Sequence, residues 1–348
     1  MIYEDLNDRE KTILRSIIHQ FILTASPVGS RNITKKFNIG YSPATVRNIM
    51  SDLEETGFIN HPHTSAGRVP TDKGYRYYVD KLMEVHQLKN SEKDIIGKIL
   101  DNNLSETDEI LKIATRLLSN ITKQIAYVTY PTLEKGILEK IQLVSLTSTR
   151  LLVVVSIKSG LVKTITLEFQ TELDSSKLHN VERLLNERLS GLNFKDIRDT
   201  FKERFTDIGA DEKPIIRLFF DSVDKIFMDN KKEDNLVITG AMNVIQHPEF
   251  GDPEKFQSVV ELIEDKDIII HIMEKKKMEN LNNVIISIGG ENEDEKLNEY
   301  SLITKEYTFG ETSGTVGIIG PKRMEYSKVL ALVSYLGEML SEVLTGNK

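Results

Sequence analysis

Residues 42–80, SPATVRNIMSDLEETGFINHPHTSAGRVPTDKGYRYYVD, constrain the fold more than any other stretch, because helix, hairpin and second-helix signals follow one another without a gap. Ser42 is placed to accept from the free amides of a first turn, and Pro43 follows at the helical position where a missing N–H costs nothing. Val46, Ile49, Met50 and Leu53 recur at helical spacing and define a core face. Ala44, Thr45, Arg47, Asn48 and Ser51 fall on or beside the opposite face. They are slim or hydrogen-bonding residues, as a helix lying in a DNA major groove requires. Gly57 ends the helix, Phe58 to Asn60 read as a short strand, and HPHTSAGRVPT reads as a hairpin with Gly67 near its tip.

Upstream, Ile13, Leu14, Ile17, Ile18, Phe21 and Ile22 form an amphipathic stripe with Asn7 or Asp8 as cap. Ser30 to Phe37 predicts a second helix, and Asn38, Ile39, Gly40 and Tyr41 a turn into the third. Three helices followed by a glycine-tipped hairpin make a winged helix, and the expectation is DNA. The residues expected to face it are Ser30, Arg31, Lys35 and Lys36 on the backbone side, Ser42, Thr45, Arg47 and Asn48 on the recognition helix, and His63, Ser65 and Arg68 on the wing. Lys73 and Arg76 are added from the helix after the wing, where Tyr75, Tyr77 and Tyr78 read as core packing. Arg68 is the best wing residue to probe a narrow minor groove. Taken singly, each of these cations is more often a solvated surface charge.

Charge distribution fits such a division of labour. The net charge is −8, yet residues 1–85 hold 11 Lys/Arg against 10 Asp/Glu, and residues 31–76 hold 7 against 4. The acidity therefore belongs to the rest of the chain, which phosphate repels while the basic end docks. There is no cysteine, which removes disulfides and thiolate chemistry. The seven histidines show no ligand spacing; His61 and His63 are close, but with no acidic partner in view they make a poor metal site, and no cofactor or metal is expected. An acidic N-terminus without signal-peptide character, and a longest apolar run of LLVVVSI, predict a cytoplasmic chain with no membrane partner. Nothing in the residue pattern suggests an enzyme.

Beyond residue 85 a helical pattern runs through Ile95, Ile96, Ile99 and Leu100, then Ile110, Leu111, Ala114, Leu117, Leu118, Ile121 and Ile125. EKIQLVSLT, RLLVVVSIK and VKTITLEF follow as an antiparallel meander, then a helix, KLHNVERLLNERL. Strand patterning resumes at NVIISIG, SLITKEYTF and GTVGIIG, before a last helix through Leu330, Val333, Leu336 and Leu340. Residues 192–280, a mixture in which LVITGAMNVI begins as a strand and DIIIHIMEKKK fits either state, interrupt what reads as one sheet. IGGEN and GTVGIIG lack the signatures of phosphate-binding loops, so Gly314, Gly317 and Gly320 are expected to serve close backbone packing. Glu291 and Asn292 are expected to form a satisfied loop network.

PVGSR at 27–31 together with residues 42–80 resembles the heat-inducible transcription repressor HrcA family, and HPEF at 247–250, IGGEN at 288–292 and GTVGIIGPKRMEYSKV at 314–329 extend the likeness over nearly the whole chain. The match is weakest between about residues 85 and 235. The resemblance implies an α+β protein with an N-terminal winged-helix domain and a GAF-like α/β domain with an antiparallel sheet, interrupted by an inserted α/β dimerisation domain. The expected division is winged helix 1–85, linker and helix start 86–105, GAF-like first part 106–191, insert 192–280 and GAF-like second part 281–348. It further implies a homodimer on an inverted-repeat double-stranded operator upstream of chaperone operons. Its partner by the same likeness is the GroEL chaperonin, which keeps the repressor active until heat-damaged proteins occupy it. A small-molecule effector in the GAF-like domain is the alternative, although no residue names a ligand.

Overall fold

In a computed structural model the chain is described at residues 5–62, 67–101, 107–169, 175–209, 213–228, 236–265, 269–270, 284–292 and 294–346. It divides into two units. One gathers Met1–Val128, Val237–Glu306 and Val316–Met339; the other gathers Thr129–Leu236, Tyr307–Thr315 and Leu340–Lys348.

The first unit starts with α1 (Asp8–Thr24), whose start is fixed by a reciprocal cap. Asn7 Oδ1 accepts from Arg9 N and Glu10 N, both at 3.0 Å, and Glu10 Oε2 accepts from Asn7 N at 2.8 Å. Ile13, Leu14, Ile17, Ile18 and Ile22 are buried along one stripe. The α2 helix (Ser30–Lys36) and α3 (Pro43–Glu55) follow, joined through Gly40 at φ +71°, a left-handed conformation that favours glycine. β1 (Ile59–Asn60) and β2 (Val69–Pro70) pair antiparallel, with Ile59 opposite Pro70. Thr71 then caps α4 (Asp72–Tyr77), accepting from Gly74 N at 3.1 Å, and a π-turn over Tyr78–Leu82 ends this module.

Residues 83–89 are irregular and lead to α5 (Asn90–Asp101) and α6 (Thr107–Thr122). The helical stripe expected to include Ile125 stops earlier. Lys123 takes a positive φ of 57°, and Ile125 opens a strand, β3 (Ile125–Thr129). The remaining elements are β4 (Leu138–Thr147), β5 (Arg150–Ile157), β6 (Val162–Glu168), α7 (Ser175–Leu189), α8 (Phe194–Arg204), α9 (Lys213–Asp221), α10 (Val223–Phe227), β7 (Leu236–Thr239), α11 (Ala241–Ile245), α12 (Pro253–Glu264), β8 (Ile285–Ile288), β9 (Tyr300–Phe309), β10 (Thr312–Pro321) and α13 (Tyr326–Thr345). DIIIHIMEKKK lies largely outside the described residues.

Two larger sheets form where the sequence suggested one. β7-β3-β10-β9-β8 is a five-stranded sheet in which Val316–Ile319 of β10 run antiparallel to Ile125–Val128 of β3. β4-β5-β6 is a separate antiparallel meander. The reason lies in the alternation of the meander: Leu151, Val153, Val155 and Ile157 bury one face only, and α7 to α10 cover that face with Val181, Leu185, Leu189, Phe194, Ile197, Phe201, Phe219 and Phe227. Helices close in sequence thus satisfy the meander without recruiting strands from residues 285–321. The boundary expected at 191/192 accordingly falls inside the second unit, and that expected at 85/86 inside the first.

In the five-stranded sheet, glycines allow close approach. A Cβ on Gly317 would lie 2.5 Å from Ile303 O, and one on Gly320 would lie 2.1 Å from Gln124 Oε1. Gly314 meets the Tyr307 ring in the same way, within the second unit. Among the described residues no helix is long and apolar enough to cross a membrane.

Candidate nucleic-acid interface

Ser42 sets the start of α3: its Oγ accepts from Thr45 N at 3.1 Å and lies 3.0 Å from Thr45 Oγ1. Val46, Ile49, Met50 and Leu53 are buried, so the helix turns Pro43, Ala44, Arg47, Asn48 and Ser51 outward, with Thr45 half-buried beside them. Arg31, Lys35 and Lys36 of α2 are exposed as well, whereas Ser30 is buried at the first position of α2. Among the described residues, Arg31, Lys35, Lys36 and Arg47 make no ion pair, leaving four cations per chain available to DNA.

Arg68, expected to probe a groove, has a partner within the chain. Arg68 NH2 lies 2.6 Å from Glu54 Oε2, and the backbone of Arg68 exchanges hydrogen bonds with Val28 at 2.8 and 2.9 Å. Its Nε is buried with no hydrogen-bond partner. The other Glu54 oxygen contacts His61 Nδ1, so His61 has the acidic partner the sequence reading did not give it. One carboxylate at the end of α3 therefore ties both flanks of the β1–β2 pair. No group of three metal-capable side chains occurs among the described residues. His63 and Ser65 lie outside the described residues.

Lys73 and Arg76, also expected at DNA, have partners within the chain. Lys73 Nζ donates to Thr56 O at 2.7 Å and sits 4.4 Å from the centre of the Phe58 ring. Arg76 grips both oxygens of Glu291, donating from Nε to Oε1 at 2.8 Å, and adds Ile286 O at 2.7 Å and Asp80 at 3.2 Å. The Glu291 hydrogen bond raises the pKa of the guanidinium, which stays charged. Tyr75 and Tyr77 are buried and Tyr78 is half-buried. Burial pushes the Tyr75 hydroxyl well up, and Tyr77 Oη donates to Asp5 at 2.9 Å.

The acidic residues that receive these cations, Glu54 and Glu291, were not singled out as partners, because nothing periodic links Arg76 to a carboxylate 215 residues away. Their signal in the sequence is their place inside the quoted motif blocks. Asn292 behaves as the loop network expected of it, its Nδ2 donating to Leu297 O at 3.1 Å and Tyr300 O at 3.0 Å, although its Oδ1 is buried without a partner.

The chain is similar to known proteins over its whole length. A family described as "HrcA protein C terminal domain" matches residues 108–330. A protein of Chlorobium phaeobacteroides (strain BS1) named "Heat-inducible transcription repressor HrcA" is 39% identical, the alignment covering 99% of this chain and 100% of the relative. One of the same name from Chlorobaculum tepidum is 40% identical over all of both chains. A solved structure described as the crystal structure of a hypothetical protein superposes with a TM-score of 0.62 at 23% identity, covering 99% of this chain and 100% of its own, and shares the fold. On the family match and the full-length relatives together, this chain belongs to the HrcA family.

Proposed function

We propose that the chain is a homodimeric repressor of heat-shock (chaperone) operons whose residues 1–85 act as a winged helix on an inverted-repeat operator. The observation that carries this reading is the outward face of α3. A capped helix presents Arg47 and Asn48 to solvent beside the free cations Arg31, Lys35 and Lys36, as direct readout flanked by phosphate contacts requires. The names of the full-length relatives support repression in response to heat.

Two identical chains would present two such helices to two half-sites, so that operator symmetry mirrors protein symmetry. Pairing is supported by the face of β4-β5-β6 turned away from α7 to α10, where Val144, Leu146 and Val162 are exposed. The remainder, in this reading a GAF-like domain interrupted by an inserted dimerisation domain, works in the cytoplasm as the scaffold of the dimer.

Dependence on the GroEL chaperonin follows the same reading and has a physical rationale. β3 near residue 125 must wait for β10 near residue 318 before its sheet closes, and such distant pairing slows folding and prolongs exposure of apolar strands. Titration of the purified chain against an inverted repeat and a single half-site, each with and without chaperonin, tests all three parts. The proposal expects tight binding to the repeat, weak binding to the half-site, and a higher yield of active dimer with chaperonin. Equal affinity for repeat and half-site would refute the dimer, and equal yields would refute the chaperonin requirement.

A further inference from the structure

PTDKGYR, HPEF, IGGEN and GPKRM are motif blocks that DNA contact leaves unexplained, and in the first unit they meet one another. Arg76 of the first grips Glu291 of the third. Asp72 of the first lies 2.9 Å from Lys322 Nζ of the fourth and accepts from Gly290 N at 3.1 Å. Arg323 of the fourth grips Glu249 of the second and donates to Ile22 O at the end of α1. Glu291 is itself aimed from its own side, accepting from Ile288 N at 2.9 Å.

These ties join the α1–α4 module to the β8 edge and the start of α13. Within the module there is little slack. A Cβ on Gly74 would lie 2.1 Å from Phe58 O, which shows how closely α4 sits against the start of β1. Thr71 Oγ1 donates to Gly57 O at 2.7 Å, just past the end of α3. The position of α4 therefore sets the position of α3, while the chain that leaves the module, residues 83–89, is irregular, with Glu84 O accepting from Ser327 Oγ.

We propose that Glu291 and Asp72 are positioning residues for operator binding: through Arg76 and Lys322 they hold α3 at a fixed orientation to the rest of the first unit, as a dimer that presents its two helices at one separation requires. This inference rests on the DNA-binding dimer reading above. With the clamp intact, binding of the first half-site places the second helix at high effective concentration over the other; with it cut, part of that advantage is lost. Neither carboxylate is a phosphate ligand. Removing one adds positive charge, which by itself strengthens DNA binding, so the clamp and simple electrostatics predict opposite signs.

The test uses the full-length protein and its Glu291→Gln and Asp72→Asn variants, the second serving if the first fails to fold. Fluorescence anisotropy would give Kd for the inverted repeat, for one half-site, and for repeats whose spacer is lengthened or shortened by about two base pairs. Each folded variant is expected to bind the half-site within about twofold of the parent, to bind the repeat about tenfold more weakly, and to lose part of the spacer penalty. An unchanged repeat-to-half-site ratio, a tighter repeat complex, or an equal loss on both DNAs would overturn the positioning role. Parent protein that fails to prefer the repeat would instead refute the dimer reading, and the clamp proposal with it.

Discussion

Operator binding by this chain is predicted to weaken steeply but boundedly with salt, and the bound comes from which cations are free. Arg31, Lys35 and Lys36 are exposed and unpaired among the described residues and Arg47 is assigned to a base edge, so a dimer brings twice three, or six, to phosphate. At about 0.9 counterions released per contact, the slope of log K against log salt is about −5, a loss of roughly two-thousandfold between about 50 and 200 mM. Arg68, Lys73 and Arg76 are engaged by Glu54, Thr56 O and Glu291. If those three also reached phosphate, twelve contacts would give a slope of about −11. Titration of the inverted repeat at five or more salt concentrations separates the two values. A slope near −11 would refute the assignment of the three cations to partners within the chain and point to their release on DNA.

Other perturbations read single contacts. Ser42→Ala removes the acceptor of Thr45 N and should cost about 1 kcal/mol in urea unfolding, while Ser42→Gly should cost only a few tenths; equal costs would contradict the cap. Gly74→Ala places a methyl against the Phe58 carbonyl, whose oxygen lies 2.1 Å from the ideal Cβ, and should destabilise by at least about 1 to 3 kcal/mol; an unchanged thermal midpoint would show that α4 shifts freely. Burial pushes the Glu249 carboxyl up, but its hydrogen bonds to Arg323, a backbone hydrogen bond and the charges of Arg323 and His247 together outweigh this and hold it below its ordinary 4.5. Its stabilisation is therefore complete above that value and is lost as pH falls through the lowered one, so Glu249→Gln should flatten the acid limb of a urea-midpoint profile; a superimposable limb would refute the coupling.

The N-terminal module was legible because its punctuation is local. Asn7 with Glu10, Ser42 with Pro43, and the glycines at 40 and 57 act on neighbours a few residues away, and each helix starts or stops where that chemistry dictates. Strand pairing was less legible. β3 is five residues long, follows α6 after a two-residue break, and shares its apolar character with the helix before it, so Ile125 read as the helix's last ridge. The meander was recognised from its alternation, but alternation says only that one face needs cover; whether helices or distant strands provide it depends on the packing of α7 to α10. Arg76 and Arg68 illustrate the same limit for the interface. Their charge was visible, while the carboxylates that hold them lie elsewhere in the chain and change what that charge is free to do.

Discrimination between the inverted repeat and scrambled DNA by the parent protein and by Arg47→Ala tests the central claim most directly, that the outward face of α3 reads base edges. The account predicts that the parent prefers the repeat and that Arg47→Ala loses about 1 to 3 kcal/mol on the repeat with little change on scrambled DNA. The same loss on both DNAs would reduce Arg47 to a phosphate contact, and no preference in the parent would contradict the account.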